Sequence, residues 1–210
     1  MKTNKKKGLG RGLDALLGAN NNPNQDDSGS QKEQQNLSIN LLQAGKYQPR
    51  RIMADEPLRE LADSIRERGV VQPLLVRLIG SGRYEIIAGE RRFRAATLAG
   101  LKEVPVRILE VDDQAAAAIA LIENMQREDL NPLEESRGLS RLIQEFGFTH
   151  EQAAKAVGKS RSAITNLLRL SQLSSAVQAM LSAGDLDMGH ARALLSLPGA
   201  SQIALAQKIV

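Results

Sequence analysis

Apolar residues recur in two different rhythms along this chain. From Leu37 to Leu109 they come in short alternating or continuous runs broken by glycine, and from residue 112 onward they return every three or four positions. The first rhythm predicts strands with helices between them, the second a run of helices. Leu37, Ile39 and Leu41 alternate like the start of a strand. Pro57 sits at a first helical position, ahead of Leu58, Leu61, Ala62 and Ile65, with Gly69 as the stop. Val70 to Leu78 is β-rich, and Gly80-Ser81-Gly82 turns it into Tyr84-Glu85-Ile86-Ile87, a predicted hairpin. A basic helix opens at Gly89 and ends near Gly100. Val104 to Leu109 is a further strand, which Pro105 places at an edge. One helix is expected from about Asp113 to Met125. The next is capped by Asn131, carries Pro132 at its first position and Glu134 and Glu135 in its first turn, and runs to about Phe146.

Four segments follow: 1–18, 19–36, 37–111 and 112–210. The first has a basic head (Lys2, Lys5, Lys6, Lys7, Arg11), then Leu9, Leu13, Leu16 and Leu17 at helical spacing, closed by Gly18. A helix this short is unstable alone, so the residues leave two readings open: a peptide that folds against a partner, or a disordered tail. Residues 19–36 are a polar, low-complexity linker unable to form a core.

Composition narrows the chemistry. There is no tryptophan and aromatics are few, so the core must be built from Leu, Ile, Val and Ala. Without cysteine, disulfides and thiolate metal sites are excluded, and His150 and His190 are too few for a zinc site. No apolar run is long enough to span a bilayer, and no apolar stretch follows the basic N-terminus as in a secretory signal. These features fit a soluble protein of a reducing compartment. The net charge of +4 is small, so the placement of charge carries more information than the sum.

Three clusters could carry function. In Gly89-Glu90-Arg91-Arg92-Phe93-Arg94-Ala95-Ala96 a glycine turn leads from a strand into a helix with three arginines. Exposed N–H groups, a helix N-terminus and guanidinium forks suit a polyanion, and a solvated basic face is the alternative. In Glu123-Asn124-Met125-Gln126-Arg127-Glu128-Asp129-Leu130-Asn131-Pro132, carboxylates and amides crowd a helix-to-helix joint. It is either a capped corner or, beside the first cluster, a place where Glu123 and Asn124 hold magnesium or orient water. In residues 149–170, Thr149 and Gln152 form a capping box, Gly158 turns the chain and Ser160 caps a second helix. There Ile164, Leu167 and Leu168 face inward, while Ser162, Thr165, Asn166 and Arg169 lie opposite with Arg161 flanking them. That is the layout of a DNA-reading helix-turn-helix. Downstream, His190 reads as a helix-start residue and Arg192 as a candidate phosphate contact.

Together with Leu9–Leu17, Tyr47-Gln48-Pro49-Arg50, Val71-Gln72-Pro73 and Gly189–Leu195, these motifs resemble, in order and over nearly the whole chain, the chromosomal ParB partition proteins. The resemblance implies an α+β nucleotide-binding domain of the ParB/sulfiredoxin-like type, followed by an all-α helix-turn-helix domain. It implies binding to a palindromic centromere-like site, parS, and to non-specific DNA. It implies CTP and magnesium in the first domain, self-association of two such domains on CTP binding to form a sliding clamp, and slow hydrolysis to CDP and phosphate. Residues 8–17 would contact and stimulate a ParA ATPase, and an SMC condensin is a further implied partner. The setting is cytoplasmic and nucleoid-associated, with no membrane. The family's dimerisation domain has no room after Val210.

By the same resemblance the nucleotide falls to Gln48, Arg50, Gln72, Gly89, Glu90, Arg91, Arg92, Arg94, Asn124 and Arg127, with Gln48, Arg50 and Gln72 near base or ribose. Asn124 is the metal-side residue and Glu123 the one needed for hydrolysis. DNA falls to Gln152, Lys159, Ser160, Arg161, Ser162, Thr165, Asn166, Arg169, His190 and Arg192. A plain repressor leaves the first two clusters unused. A nucleoid-occlusion relative would carry a membrane-binding start in place of the Leu9–Leu17 peptide. Sulfiredoxin chemistry needs the absent cysteine.

Overall fold

The computed structural model describes residues 34–46, 55–127 and 130–210. The expected partner peptide and most of the linker lie outside those residues. The chain forms two compact units that divide between Ala120 and Leu121.

The first unit is a five-stranded mixed sheet with helices. The strands are β1 (Gln35–Ser38), β2 (Leu42–Gln43), β3 (Leu74–Gly80), β4 (Arg83–Ala88) and β5 (Glu103–Ile108), and the helices α1 (Asp55–Arg68) and α2 (Glu90–Leu98). Spatial order is β1-β5-β3-β4-β2. The expected hairpin is β3–β4, antiparallel, with Ser81 and Gly82 in its turn. β5 runs parallel to β3 and β2 parallel to β4, while β1 closes the other side against β5, antiparallel. Successive strand residues point to opposite faces. Leu74, Val76, Ile86, Val104 and Val106 therefore form one core with Ala62, Ile65, Ala95 and Ala96 of the two helices. On the other face, Ile87 packs with Ala116 and Ile119 of α3 (Asp113–Met125).

Four expectations change in detail. β5 is an interior strand, because β1 covers its outer side. Pro105 is tolerated since its ladder with β3 starts only at Val106. Leu37, Ile39 and Leu41 do not share one strand: a 3-10 turn at Ile39–Leu41 separates β1 from β2. Gln35 and Asn36, expected in the linker, already pair with Val106 and Pro105. Pro57 is the third residue of α1 rather than its first, still within the first turn where its missing N–H has no intrahelical acceptor.

On the α3 side of the sheet lies an ionic cluster that the strand pattern does not reveal. Arg77 and Glu85 are register partners on β3 and β4, and both are buried. Arg77 Nε donates to Glu85 Oε2 at 2.8 Å and Nη1 meets Asp113 Oδ1 at 2.6 Å. Glu85 Oε1 accepts the Lys46 backbone N–H. The first residue of α3 is thus tied to two strands. The hydrogen bond from Arg77 also holds the exposed Asp113 carboxyl below the usual aspartate range.

The second unit is helical: the end of α3, then α4 (Pro132–Gln144), α5 (His150–Val157), α6 (Arg161–Arg169), α7 (Ser175–Ala183), α8 (Met188–Leu194) and α9 (Gly199–Ile209). α4 stops two residues short of the expected Phe146, with Glu145 as its C-cap. Leu139, Leu142, Ile164, Leu170, Val177 and Leu194 are its most deeply buried large side chains. Buried Gln202 is satisfied at both ends, accepting from Ser174 N–H and donating to the Leu197 carbonyl. Among the described residues no helix is long and apolar enough to cross a membrane.

Glu85→Gln removes one of the two carboxylates that pair with the buried Arg77, leaving Asp113. Urea unfolding should show a loss of about 3 kcal/mol, the low end for breaking a buried pair. An unchanged midpoint and slope would remove this cluster from the account of the fold.

Candidate functional site

The first site is built around one glycine. β4 delivers the chain to Gly89, whose φ of +102° is left-handed and whose position caps α2 without a side chain. A Cβ there would lie 3.3 Å from both Leu74 Cγ and Arg92 Cζ, so backbone angle and crowding both call for glycine. Arg92 lies against that bare Cα. Its Nη1 donates to the Gln72 and Pro73 carbonyls, each at 2.7 Å. One guanidinium thus fastens the segment before β3 to the turn before α2, and brings Gln72, Gly89 and Arg92 together.

Glu90, the first residue of α2, is buried. Its Oε1 accepts from Arg94 Nε at 2.8 Å, but its buried Oε2 has no hydrogen-bond partner among the described residues. Such an oxygen costs stability unless something donates to it. A ligand hydroxyl, an amino group or a cation-bound water would meet that need. Arg91 is exposed beside it. The first-turn N–H groups of α2 have no intrahelical acceptors, and Gly89 offers no side-chain cap. Three arginines against one carboxylate, at a helix N-terminus, form a fitting cradle for phosphates. Gln48 and Arg50 lie outside the described residues.

The second cluster ends α3. Glu123 is exposed, and Asn124 and Arg127 are half-buried. Glu128 and Asp129 lie outside the described residues. Met125 is buried against Gly138 of α4, where an added Cβ would meet its Sδ at 2.7 Å. Asn131 caps α4 through the Leu133 and Glu134 N–H groups, and Glu134 returns a bond to the Asn131 N–H. Among the described residues, no three His, Cys, Asp or Glu stand together as a metal site. A hard cation held by Asn124 would take the rest of its oxygen ligands from phosphates and water, which is how magnesium is usually bound.

The helix-turn-helix forms as expected. Thr149 and Gln152 make their capping box, Gly158 turns at φ +69°, and Ser160 caps α6 by accepting from the Ala163 N–H. Lys159, Ser160, Arg161, Ser162, Thr165 and Arg169 are exposed and Asn166 is half-buried. Ile164 and Leu167 are buried inside, with Leu168 half-buried. The structure adds existing duties to several of these residues. Gln152 Oε1 accepts the Thr149 N–H. Lys159 Nζ lies 3.1 Å from Glu135 Oε1 of α4. Thr165 Oγ1 donates to the Arg161 carbonyl. At the start of α8, Asp187 accepts the His190 N–H, which holds its carboxyl below the usual range, and its other oxygen meets His190 Nδ1 at 3.0 Å. Arg192 Nε donates to the Met188 carbonyl. Glu135 and Gln126, whose side chains reach the helix-turn-helix, were not singled out by the motifs. No local pattern marks a contact across 24 or 30 residues.

Residues 23–125 match the ParB N-terminal domain and residues 128–210 the ParB HTH domain. The probable chromosome-partitioning protein ParB of Pseudomonas putida is 59% identical over 196 residues, covering 92% of this chain and 68% of that protein. The protein of the same description from Neisseria meningitidis serogroup A is 55% identical over 205 residues, covering 98% and 70%. Among solved structures, the C-terminally truncated chromosome-partitioning protein ParB from Caulobacter crescentus, complexed to the centromeric parS site, aligns with a TM-score of 0.67 at 41% identity. That alignment covers 83% of this chain and 99% of that one. The chain belongs to the ParB family of chromosome-partitioning proteins.

Proposed function

We propose that this chain marks a parS-like DNA site through α5 and α6, and that CTP with magnesium, bound at the Gly89 turn, switches it between an open form and a closed clamp that slides on DNA. The carrying observation is the Gly89 turn, with three arginines, an uncapped helix start and one orphaned buried carboxylate oxygen in a chain that also holds a capped helix-turn-helix. The parS reading is further supported by the 41% identical Caulobacter crescentus protein complexed to that site. The preference for cytosine rests on family membership.

The chain's own residues then divide the work. Gly89, Arg91, Arg92 and Arg94 bind and orient phosphates, Glu90 accepts a hydrogen bond from the ligand or a bound water, and Gln72 borders the ligand with Gln48 and Arg50. Asn124 supplies an amide oxygen to magnesium, Arg127 braces the corner, and Glu123 orients the water for slow hydrolysis to CDP and phosphate. When bound, CTP and magnesium would supply the phosphate charge and the hard cation that these groups suit. Lys159, Ser160, Arg161, Ser162, Thr165, Asn166 and Arg169, with Gln152, His190 and Arg192, meet DNA. Closure is self-association of two N-terminal units. Residues 8–17 engage a ParA ATPase, an SMC condensin is a further partner, and the protein works at the nucleoid in the cytoplasm.

Arg92→Ala should weaken CTP binding at least about tenfold, as expected for a lost charge-assisted bond of about 1.5–3 kcal/mol. Its parS affinity without nucleotide should stay unchanged. Arg92 also fastens the Gln72–Pro73 segment, so Arg91→Ala serves as the variant that spares the scaffold and should weaken CTP in the same direction. Labelled CTP binding to both variants as to wild type overturns the assignment.

Arg161→Ala and Asn166→Ala should each cost about 1–3 kcal/mol in discrimination between parS and scrambled duplex, if each loses one base contact. Competition binding at fixed salt reads this directly, and undiminished discrimination would remove α6 from the reading role.

A further inference from the structure

Gln126 joins the two halves of the second unit's chemistry. Its backbone N–H donates to the Ile122 and Glu123 carbonyls at 3.0 and 3.2 Å, closing the last turn of α3 over Glu123. Its side chain points elsewhere: Nε2 donates to the Ala156 carbonyl at 2.8 Å. That carbonyl belongs to the final turn of α5, where the last carbonyls have no intrahelical donor. Gly158 and Lys159 N–H groups take the Ala154 and Lys155 carbonyls. The Ala156 carbonyl takes its hydrogen bond from Gln126, a residue from outside the helix-turn-helix. A second contact runs alongside. Met125 is wedged against Gly138 of α4, and α4 carries Glu135, the partner of Lys159 at the same turn.

Resting on the nucleotide reading above, we infer that Gln126 is a positioning residue that couples a ligand at Glu123–Asn124 to DNA at the helix-turn-helix. A ligand that draws Glu123 or Asn124 into a new position shifts the end of α3. Through Gln126 it shifts the carbonyl that borders the turn into α6. Linkage makes the effect reciprocal, so DNA held by α6 must change nucleotide affinity by the same factor. The physical warrant is one hydrogen bond and one tight contact joining both places, not proximity alone.

The test measures CTP affinity with and without saturating parS duplex, and parS affinity with and without CTP, for wild type, Gln126→Glu and Gln126→Lys. Gln126→Glu keeps the shape and loses the donor, while Gln126→Lys keeps a donor for the carbonyl. Expected is a wild-type coupling factor of about fivefold or more. In Gln126→Glu it should fall toward one, with each ligand alone bound within about twofold of wild type. Gln126→Lys should recover part of it. Wild type that binds no CTP overturns the nucleotide reading and this inference together. Coupling in wild type that persists undiminished in Gln126→Glu overturns this inference alone. Loss of parS affinity without nucleotide in both variants makes Gln126 a scaffold residue and also overturns it.

Discussion

The guanidinium of Arg92 rests against a glycine whose left-handed backbone and close neighbours disfavour any side chain, and the proposed nucleotide site is built on that contact. Gly89 has a left-handed φ, and a Cβ there would crowd both Arg92 Cζ and Leu74 Cγ at 3.3 Å. From there Arg92 reaches the Gln72 and Pro73 carbonyls, so two segments joined by the β3–β4 hairpin are held side by side. The same turn buries Glu90 with one oxygen lacking a partner among the described residues. An orphaned carboxylate oxygen is an expense of about 1–3 kcal/mol or more, and proteins keep such features where a ligand or reaction makes use of them. Arg92 is therefore a brace, and in the proposed function it is a phosphate-binding cation as well. Arg91, exposed one residue earlier, carries charge without that structural duty.

In the helical unit the governing constraint is the pairing of backbone carbonyls at the ends of short helices. α5 has eight residues and α6 nine, so a large share of their polar backbone groups lie in terminal turns. Thr149, Gln152 and Ser160 satisfy N-terminal donors, Gly158 permits the C-terminal turn, and Gln126 supplies the donor that the local sequence does not. The positive residues at this turn are restrained as well. Lys159 meets Glu135, which fixes the ammonium near the turn and lowers the net charge shown to solvent. In the proposed DNA contact the phosphate backbone competes with that pair.

Much of this was legible in the chain, and for identifiable reasons. The cap at Asn131, the capping box at Thr149, the turn at Gly158 and the hairpin at Gly80–Gly82 are local, and local chemistry shows in sequence. Pro105 misled because its edge-like meaning applies to one ladder only: β5 is an interior strand, yet Pro105 lies outside the β3 pairing. The Arg77–Glu85–Asp113 cluster was invisible, since Glu85 reads as a polar outward position in a hairpin and nothing in the pattern says that α3 covers that face. Gln126, Glu135 and the Arg92 brace share that cause. Each contact spans about 20 residues or more, beyond any periodicity.

The central claim is that a nucleotide, and CTP among nucleotides, occupies the Gly89 turn of a DNA-binding ParB-family chain. Equilibrium binding of labelled CTP, UTP, ATP and GTP, each with magnesium and with or without parS duplex, tests it most directly. The account predicts saturable binding of CTP and at least tenfold weaker binding of the other three (about 1.4 kcal/mol). Binding of none of the four, with parS recognition intact, would contradict it and leave a plain helix-turn-helix DNA-binding protein.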